Sequence, residues 1–308
     1  MKVYPIAFDS LGVRSMSTIV VLNDIKIFID PYAALAPIRY GLKPSHLEIE
    51  MLNFYLEQIY KLGSYCDYAI ITHYHYDHHP IPEDNNFFKS FKKCHFLIKD
   101  FEKEHFSAKK RGSAFTNNLK KNKISFEFVD GKKIKIEDIK IKFSKPVWHG
   151  EVNSKVGRVI MVCIEYLNRK LFFGSDAQFL IDKNALKFAL KIKPNYLIID
   201  GFPTILEGYK VKHESFLEGI KNMKKIFGRV NYSWIIIDHH LLRDKDFEKK
   251  FPFFDYKKII TAAKFYNLEN LLLEAYRKEI YKKEIIFDLE VYKDNARKVI
   301  SKIINSSI

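Results

Sequence analysis

Cysteine is scarce and scattered, with three in 308 residues (Cys66, Cys94 and Cys163) and no C-x-x-C pair. This excludes a disulfide framework and a cysteine zinc site, and it fits a reducing cytoplasm. Arginine is scarce too, nine against 43 lysines. Lysine lacks the planar fork that grips a phosphate in two places, so the net charge of +15 reads first as a solvated surface and only second as a footprint for nucleic acid. No stretch approaches the ~20 apolar residues that span a bilayer, and the opening MKVYPIAFDS lacks the basic-then-apolar order of an export signal. The sequence therefore predicts a cytoplasmic protein without a membrane partner. It has no low-complexity linker and no repeat.

What is present is a composition of 47% hydrophobic and 29% charged side chains, enough to build and solvate a full core. The first 175 residues carry short alternating runs joined by two-residue turns, at 17–30, 132–143 and 161–174, each of which predicts a β-hairpin. Segment 45–62 opens after Pro44, repeats apolar residues at 3–4 spacing and stops at Gly63, the pattern of an amphipathic helix leading into the strand YAII at 68–71. Further on, 184–192 and 214–227 read as helices, alternating with buried strands at 195–200 and 234–238. Residues 241–308 read as mostly helical, with one long segment near 255–283.

The chemistry is concentrated after YAII. Four of the 11 histidines fall in seven residues, His73-Tyr-His75-Tyr-Asp77-His78-His79. In extended chain, residues two apart point the same way, so His73 and His75 face one ion and Asp77 and His78 turn toward a second. Imidazole and carboxylate suit zinc, and also iron or manganese. A histidine-rich surface loop would not be echoed at later strand ends. This one is, by Trp148-His149-Gly150, Gly174-Ser175-Asp176 and Asp238-His239-His240.

On these residues the chain resembles the metallo-β-lactamase superfamily of metal-dependent hydrolases, over residues 1 to about 245. The resemblance implies an α/β (α+β) fold, a four-layer αββα sandwich in a single domain with the metal site at one edge of the two facing sheets, and a helical extension at about 246–308. The segments FDSLGVRSMST (8–18), IDPYAALAPIRYGL (29–42) and IIIDHHLLRD (235–244) further resemble an archaeal branch of that superfamily, one that supplies no substrate by analogy.

Carried over by position, the resemblance gives metal one to His73, His75 and His149. Metal two falls to Asp77, His78 and either His239 or His240, with His239 favoured because it directly follows the strand. Asp176 bridges both, and Asp30 supplies a carboxylate behind the ligands. Two divalent ions are implied, zinc first, with manganese or iron as alternatives. They would turn a shared water into hydroxide, which attacks an ester, lactone or phosphodiester bond. Asp77 would accept a proton, and a spare His79 or His240 would protonate the leaving group. Position 75 is His where flavo-di-iron oxygen reductases carry Glu. The 63 positions between Asp176 and His239 leave no room for the inserted domain of the superfamily's large nucleases.

The alternative is a nucleic-acid-binding protein or small nuclease using segment 89–145. That segment holds 17 basic and 7 acidic residues, interspersed with Phe91, Phe96, Phe101, Phe106 and Phe115, which read either as a stacking platform or as core. Arg14 reads either as a contact to an anionic substrate or as half of an ion pair. Tyr32 replaces the small residue usual after Asp-Pro and is expected to reshape the mouth of the site. His46, His95, His105 and His213 have no companion spacing and are expected at the surface.

Overall fold

All three hairpins form in the computed structural model, which describes residues 1–228, 232–251 and 258–306. The first sheet starts with β1 (Lys2–Phe8), β2 (Met16–Leu22) and β3 (Ile25–Ile29), each antiparallel to the next. Helix α1 (His46–Gly63) begins at Ser45, whose hydroxyl caps the Glu48 amide while the Glu48 carboxylate returns to the Ser45 amide. It delivers the chain to β4 (Tyr68–Ile71), parallel to β3. The helix α2 (Asn85–Ser90), strand β5 (His95–Ile98), helix α3 (Phe106–Lys121) and strand β6 (Phe126–Phe128) complete a sheet in the order β1-β2-β3-β4-β5-β6.

The second sheet opens with the hairpin β7 (Lys133–Ile136) and β8 (Ile139–Phe143). A small ribbon of β9 (Val147–Trp148) and β10 (Arg158–Val159) leads to the hairpin β11 (Val162–Tyr166) and β12 (Arg169–Phe173). Leu167 and Asn168 both take positive φ, as a tight two-residue hairpin turn demands. The chain then alternates: α4 (Lys183–Ile192), β13 (Tyr196–Asp200), α5 (His213–Phe227) and β14 (Trp234–Asp238), with β12, β13 and β14 parallel. After α6 (Phe247–Lys250) come β15 (Ile259–Ile260), α7 (Ala262–Phe265), α8 (Arg277–Tyr281) and α9 (Glu290–Asn305). The sheet runs β15-β14-β13-β12-β11-β8-β7.

Strand periodicity sorts the apolar side chains into layers. Leu171, Ile198 and Ile236 are buried in one cluster with Phe28 and Ile70 of the first sheet and with Met51, Tyr55 and Ile59 of α1. Their neighbours in sequence, Phe172, Leu197 and Ile235, point the other way and pack with Ala185 and Ala189 of α4 and Met223 and Ile226 of α5. Each such fully buried side chain is worth about 1.5–3 kcal/mol. The result is the expected four-layer αββα arrangement.

The long helix near 255–283 does not form. Residues 258–283 hold β15, α7 and α8, while 255–257 lie outside the described residues. Leu271 and Leu273 enter the inter-sheet core and Leu272 the opposite cluster, the alternation of extended chain and not of a helix. The tail is tied into the sandwich at several points. Leu271 donates its amide to Ser10 O at 2.8 Å. Asp238 accepts from the amides of Ser10 (3.0 Å), His239 (2.8 Å) and Ala262 (2.9 Å). Arg277 is fully buried, with Nη2 2.6 Å from Glu48 Oε1 and further bonds to the carbonyls of Leu42 and Ala36.

Candidate metal centre

The ends of β3, β4, β12, β13 and β14, and the loop after β9, all open on one edge of the sandwich, and the ligand-type residues sit there. His73, His75, His149 and Asp176 present one donor atom each within 4.8 Å of one another, as do Asp77, His78 and His239. His73 Nε2 lies 3.1 Å from His75 Nδ1, and Asp176 Oδ2 lies 3.1 Å from His149 Nε2 and 3.5 Å from His73 Nε2. On the other side His78 Nε2 is 3.3 Å from Asp176 Oδ1, and His239 Nε2 is 3.4 Å from Asp176 Oδ2 and 3.6 Å from Asp77 Oδ2. Donors ~2.0–2.1 Å from one tetrahedral ion stand about 3.3 Å apart, so the spacing fits divalent ions. His78 Nε2 and Asp176 Oδ1 are buried without a hydrogen-bond partner. Such atoms are costly unless something else is meant to satisfy them.

Carboxylates behind the imidazoles set their orientation. His78 Nδ1 is 2.9 Å from Asp30 Oδ2, and Asp30 is itself fixed by the amide and hydroxyl of Thr72 at 2.8 and 2.6 Å. His239 Nδ1 is 2.6 Å from Asp9 Oδ2, and His240 Nδ1 is 2.7 Å from Asp200 Oδ2. A carboxylate accepts and the ring nitrogen donates, which leaves Nε2 of each ring facing the centre. His149 Nδ1 faces the Gln178 amide at 3.3 Å, a contact that only glycine at position 150 permits, since a Cβ there would lie 2.1 Å from Gln178 Oε1. Asp30, Ser175, Gln178 and His239 hold left-handed φ of 44–57°, so backbone strain is concentrated around these residues.

Burial and charge divide the imidazoles. Burial pushes His75 down to about 3 and His73 well below its ordinary value, so both stay neutral and ready to ligate. Burial also opposes charge on His239, as does Arg243, but Asp176 and Asp9 outweigh them and raise it to about 9. His78 is raised in the same way, against burial, by Asp176, Asp30 and Asp77. Although burial disfavours their ionised forms, the surrounding imidazoles hold the Asp176 and Asp77 carboxyls below the usual range.

No family model matches the chain. It is 38% identical over 294 residues to a UPF0282 protein of Thermococcus sibiricus, an alignment that covers 92% of this chain and 95% of that one. The chain belongs to the UPF0282 family. A second UPF0282 protein, from Sulfurisphaera tokodaii, is also 38% identical, over 300 residues that cover 92% of this chain and 94% of the other; both relatives are archaeal. Among solved structures, the metallo-β-lactamase fold protein YhfI from Bacillus subtilis superposes with a TM-score of 0.50 at 14% identity, covering 84% of this chain and 95% of that one. The UPF0282 chain thus has the metallo-β-lactamase fold.

The eight positions named from sequence converge, and the pair His239/His240 resolves into two places. His239 shares its group with Asp77 and His78, while His240 groups only with Asp176 and His239, its Nε2 3.7 Å from Asp176 Oδ2. His79 is different. Its ring is buried among Tyr74, Tyr76 and Phe115 and belongs to none of the donor groups above. Arg14 makes two bonds of 2.5 and 2.6 Å to Glu274, the ion-pair alternative. Tyr32 turns away from any mouth; its hydroxyl donates to Asp84 at 2.8 Å and its ring meets Phe87. In segment 89–145, Phe91, Phe96, Phe101 and Phe115 are core, and Phe106 alone of the five is exposed, at 83%. Among the described residues no helix is long and apolar enough to cross a membrane.

Sequence reading missed Asp9, Asp200, Thr72, Gln178 and Arg243. Asp9 and Asp200, like Asp30, stand at the end of a buried strand, but only Asp30 matched a position of the resembled superfamily. Arg243 carried no sequence signal. It lies one 3₁₀ turn after His239.

Proposed function

We propose that the protein is a metal-dependent hydrolase with a dinuclear, zinc-loaded centre acting on an ester, lactone or phosphodiester bond. The observation that supports this reading is Asp176, a buried carboxylate standing between the two donor groups: Oδ2 lies 3.1–3.5 Å from His149, His239 and His73, and Oδ1 3.3 Å from His78. His73, His75 and His149 would hold one divalent ion, Asp77, His78 and His239 the other, with Asp176 shared. A pair of ions bound there supplies a deprotonated water at neutral pH and a Lewis acid for the oxygen of the scissile bond.

The chain's own groups do the rest. Asp77, partly exposed and kept ionised by His78, His239 and Arg243, stands where the centre meets solvent and accepts the proton of the attacking water. Asp30, Asp9 and Asp200 hold His78, His239 and His240 in the orientation that points Nε2 inward. His240 is the imidazole of the cluster not needed as a ligand; burial, Arg243 and His239 hold it neutral, so it would have to take up a proton before it could protonate a leaving group.

Elemental analysis of the wild type beside Asp176→Ala, after zinc, manganese and iron have each been offered, tests the reading. The expected result is about two ions in the wild type and fewer in the variant, with hydrolysis of nitrophenyl esters, lactones or bis-nitrophenyl phosphate that is lost together with the metal. A wild type that takes up no ion would overturn it. Nucleic-acid docking on segment 89–145 would then rest on its lysines alone, and would show as a gel shift that weakens steeply with salt.

A further inference from the structure

The two halves of the centre differ in one respect that the ligand list does not reveal. Arg243 is 9% exposed and its guanidinium reaches the donor atoms themselves: Nη2 is 3.0 Å from His239 Nε2 and 3.3 Å from Asp77 Oδ2, while Nε is anchored on Asp9 Oδ1 at 3.1 Å. With Asp9 on His239 Nδ1, Nε2 points into the centre, and Nη2 stands against it in the place an ion would take. Guanidinium keeps its charge at any accessible pH and has no acceptor of its own, so it does not become a ligand.

Nothing equivalent stands on the other side. Among the described residues, no Lys or Arg hydrogen-bonds to a donor atom of His73, His75, His149 or Asp176; those atoms meet one another, Thr72, Ser175 and Gln178, and Asp176 also faces His78, His239 and His240. An ion entering between these four groups displaces no cation. One entering between Asp77, His78 and His239 has to push Nη2 off two of its three donors and remain beside a fixed positive charge in a buried setting, where like charges interact strongly.

We infer that Arg243 makes the two positions unequal: the His73–His75–His149–Asp176 position fills first and tightly, and the Asp77–His78–His239 position is a weak site at which the incoming ion competes with the guanidinium. This rests on the dinuclear reading proposed above. It also assigns Arg243 a positioning role, since in the singly loaded protein the guanidinium keeps the Asp77 carboxylate and the His239 imidazole in place for the second ion.

Zinc titration of the metal-stripped protein by calorimetry and equilibrium dialysis tests the inference without reference to activity. The wild type should bind one zinc at least about tenfold more tightly than the second, the low end of what an outer contact to a ligand is worth. Arg243→Gln, checked for folding by circular dichroism, should tighten the second step by about 10–100-fold and leave the first unchanged. Asp77→Asn in the otherwise native protein should abolish the weak step and spare the tight one, a result that stands even if Arg243→Gln does not fold. Equal affinities in the wild type, a folded Arg243→Gln that titrates like the wild type, or an Asp77→Asn that loses the tight step would each overturn the inference and leave the dinuclear reading intact. A wild type that binds no zinc at all would overturn both.

Discussion

Asp9 and His239 are 230 positions apart in the chain, yet Asp9 Oδ2 lies 2.6 Å from His239 Nδ1, the first strand's exit loop steering a ring from the last long strand. Asp9→Asn removes the charge that fixes this tautomer. The expected outcome is a loss of about 10–100-fold in affinity at the Asp77–His78–His239 position, with the His73–His75–His149 position changed far less. Zinc isotherms that coincide with the wild type would show that Asp9 orients nothing.

Metal loading should release protons. His239 is raised to about 9, so at pH 7.5 an ion must displace its proton, and His78 is raised as well, which sets an ion there in competition with a proton. The apparent enthalpy of zinc binding should therefore change with the ionisation enthalpy of the buffer, and affinity should fall as pH is lowered. In the metal-free protein the sign for stability is the reverse. The stabilisation from a raised histidine is fully present below pH 6.5 and is lost as pH rises through about 9. Thermal melts of the stripped protein at pH 6 and pH 9.5 check this; a higher melting temperature at the alkaline end would contradict it.

His79 is a buried imidazole outside the groups of metal-type donors, and burial holds it neutral, down to about 3, against the backbone of Tyr74 and Pro80. Replacing it by Phe removes a buried, poorly satisfied polar ring, which costs about 1–3 kcal/mol, in exchange for a modest increase in volume. His79→Phe is expected to keep its metal content and its activity and to melt no lower than the wild type by more than a few degrees. Loss of metal from that variant would return His79 to the site.

The Arg277–Glu48 pair is fully buried, and Arg277 also holds the carbonyls of Leu42 and Ala36. Arg277→Met leaves Glu48 charged in an apolar setting and should destabilise the fold by about 3–5 kcal/mol, while Glu48→Gln with Arg277→Met together should recover part of that. Urea denaturation of the two single variants and the double variant measures the coupling.

The loop 73–79 was legible because clustering of one rare residue type is hard to obtain by packing alone, and its echoes at 149, 176 and 239–240 fall at strand ends that hydrophobic alternation had already marked. The hairpins were legible for the same reason. The carboxylates at Asp9 and Asp200 were not, because a single acid after a strand reads equally well as a turn, and what distinguishes them is a neighbour 230 or 40 positions away. The tail misled because Leu271-Leu272-Leu273 satisfies a helical count over a short window while its side chains divide between two layers. His239 and His240 differ in the donor groups they join, Asp77 and His78 for the first and Asp176 with His239 for the second, and only the folded chain supplies that difference.

The bonds at Asp238 bear on the order in which the centre is assembled. Ser10 comes from the first hairpin's approach and Ala262 from the tail, and both donate to the carboxylate that also takes the His239 amide. A nascent chain that has already exposed His73, His75, His149 and Asp176 therefore still lacks the clamp on His239 until residues beyond 262 have been made. Should the proposed pair of ions bind, the side that includes His239 would be restrained in full only once Ala262 has been made, because a chain ending before it lacks one of the three amides that fix Asp238.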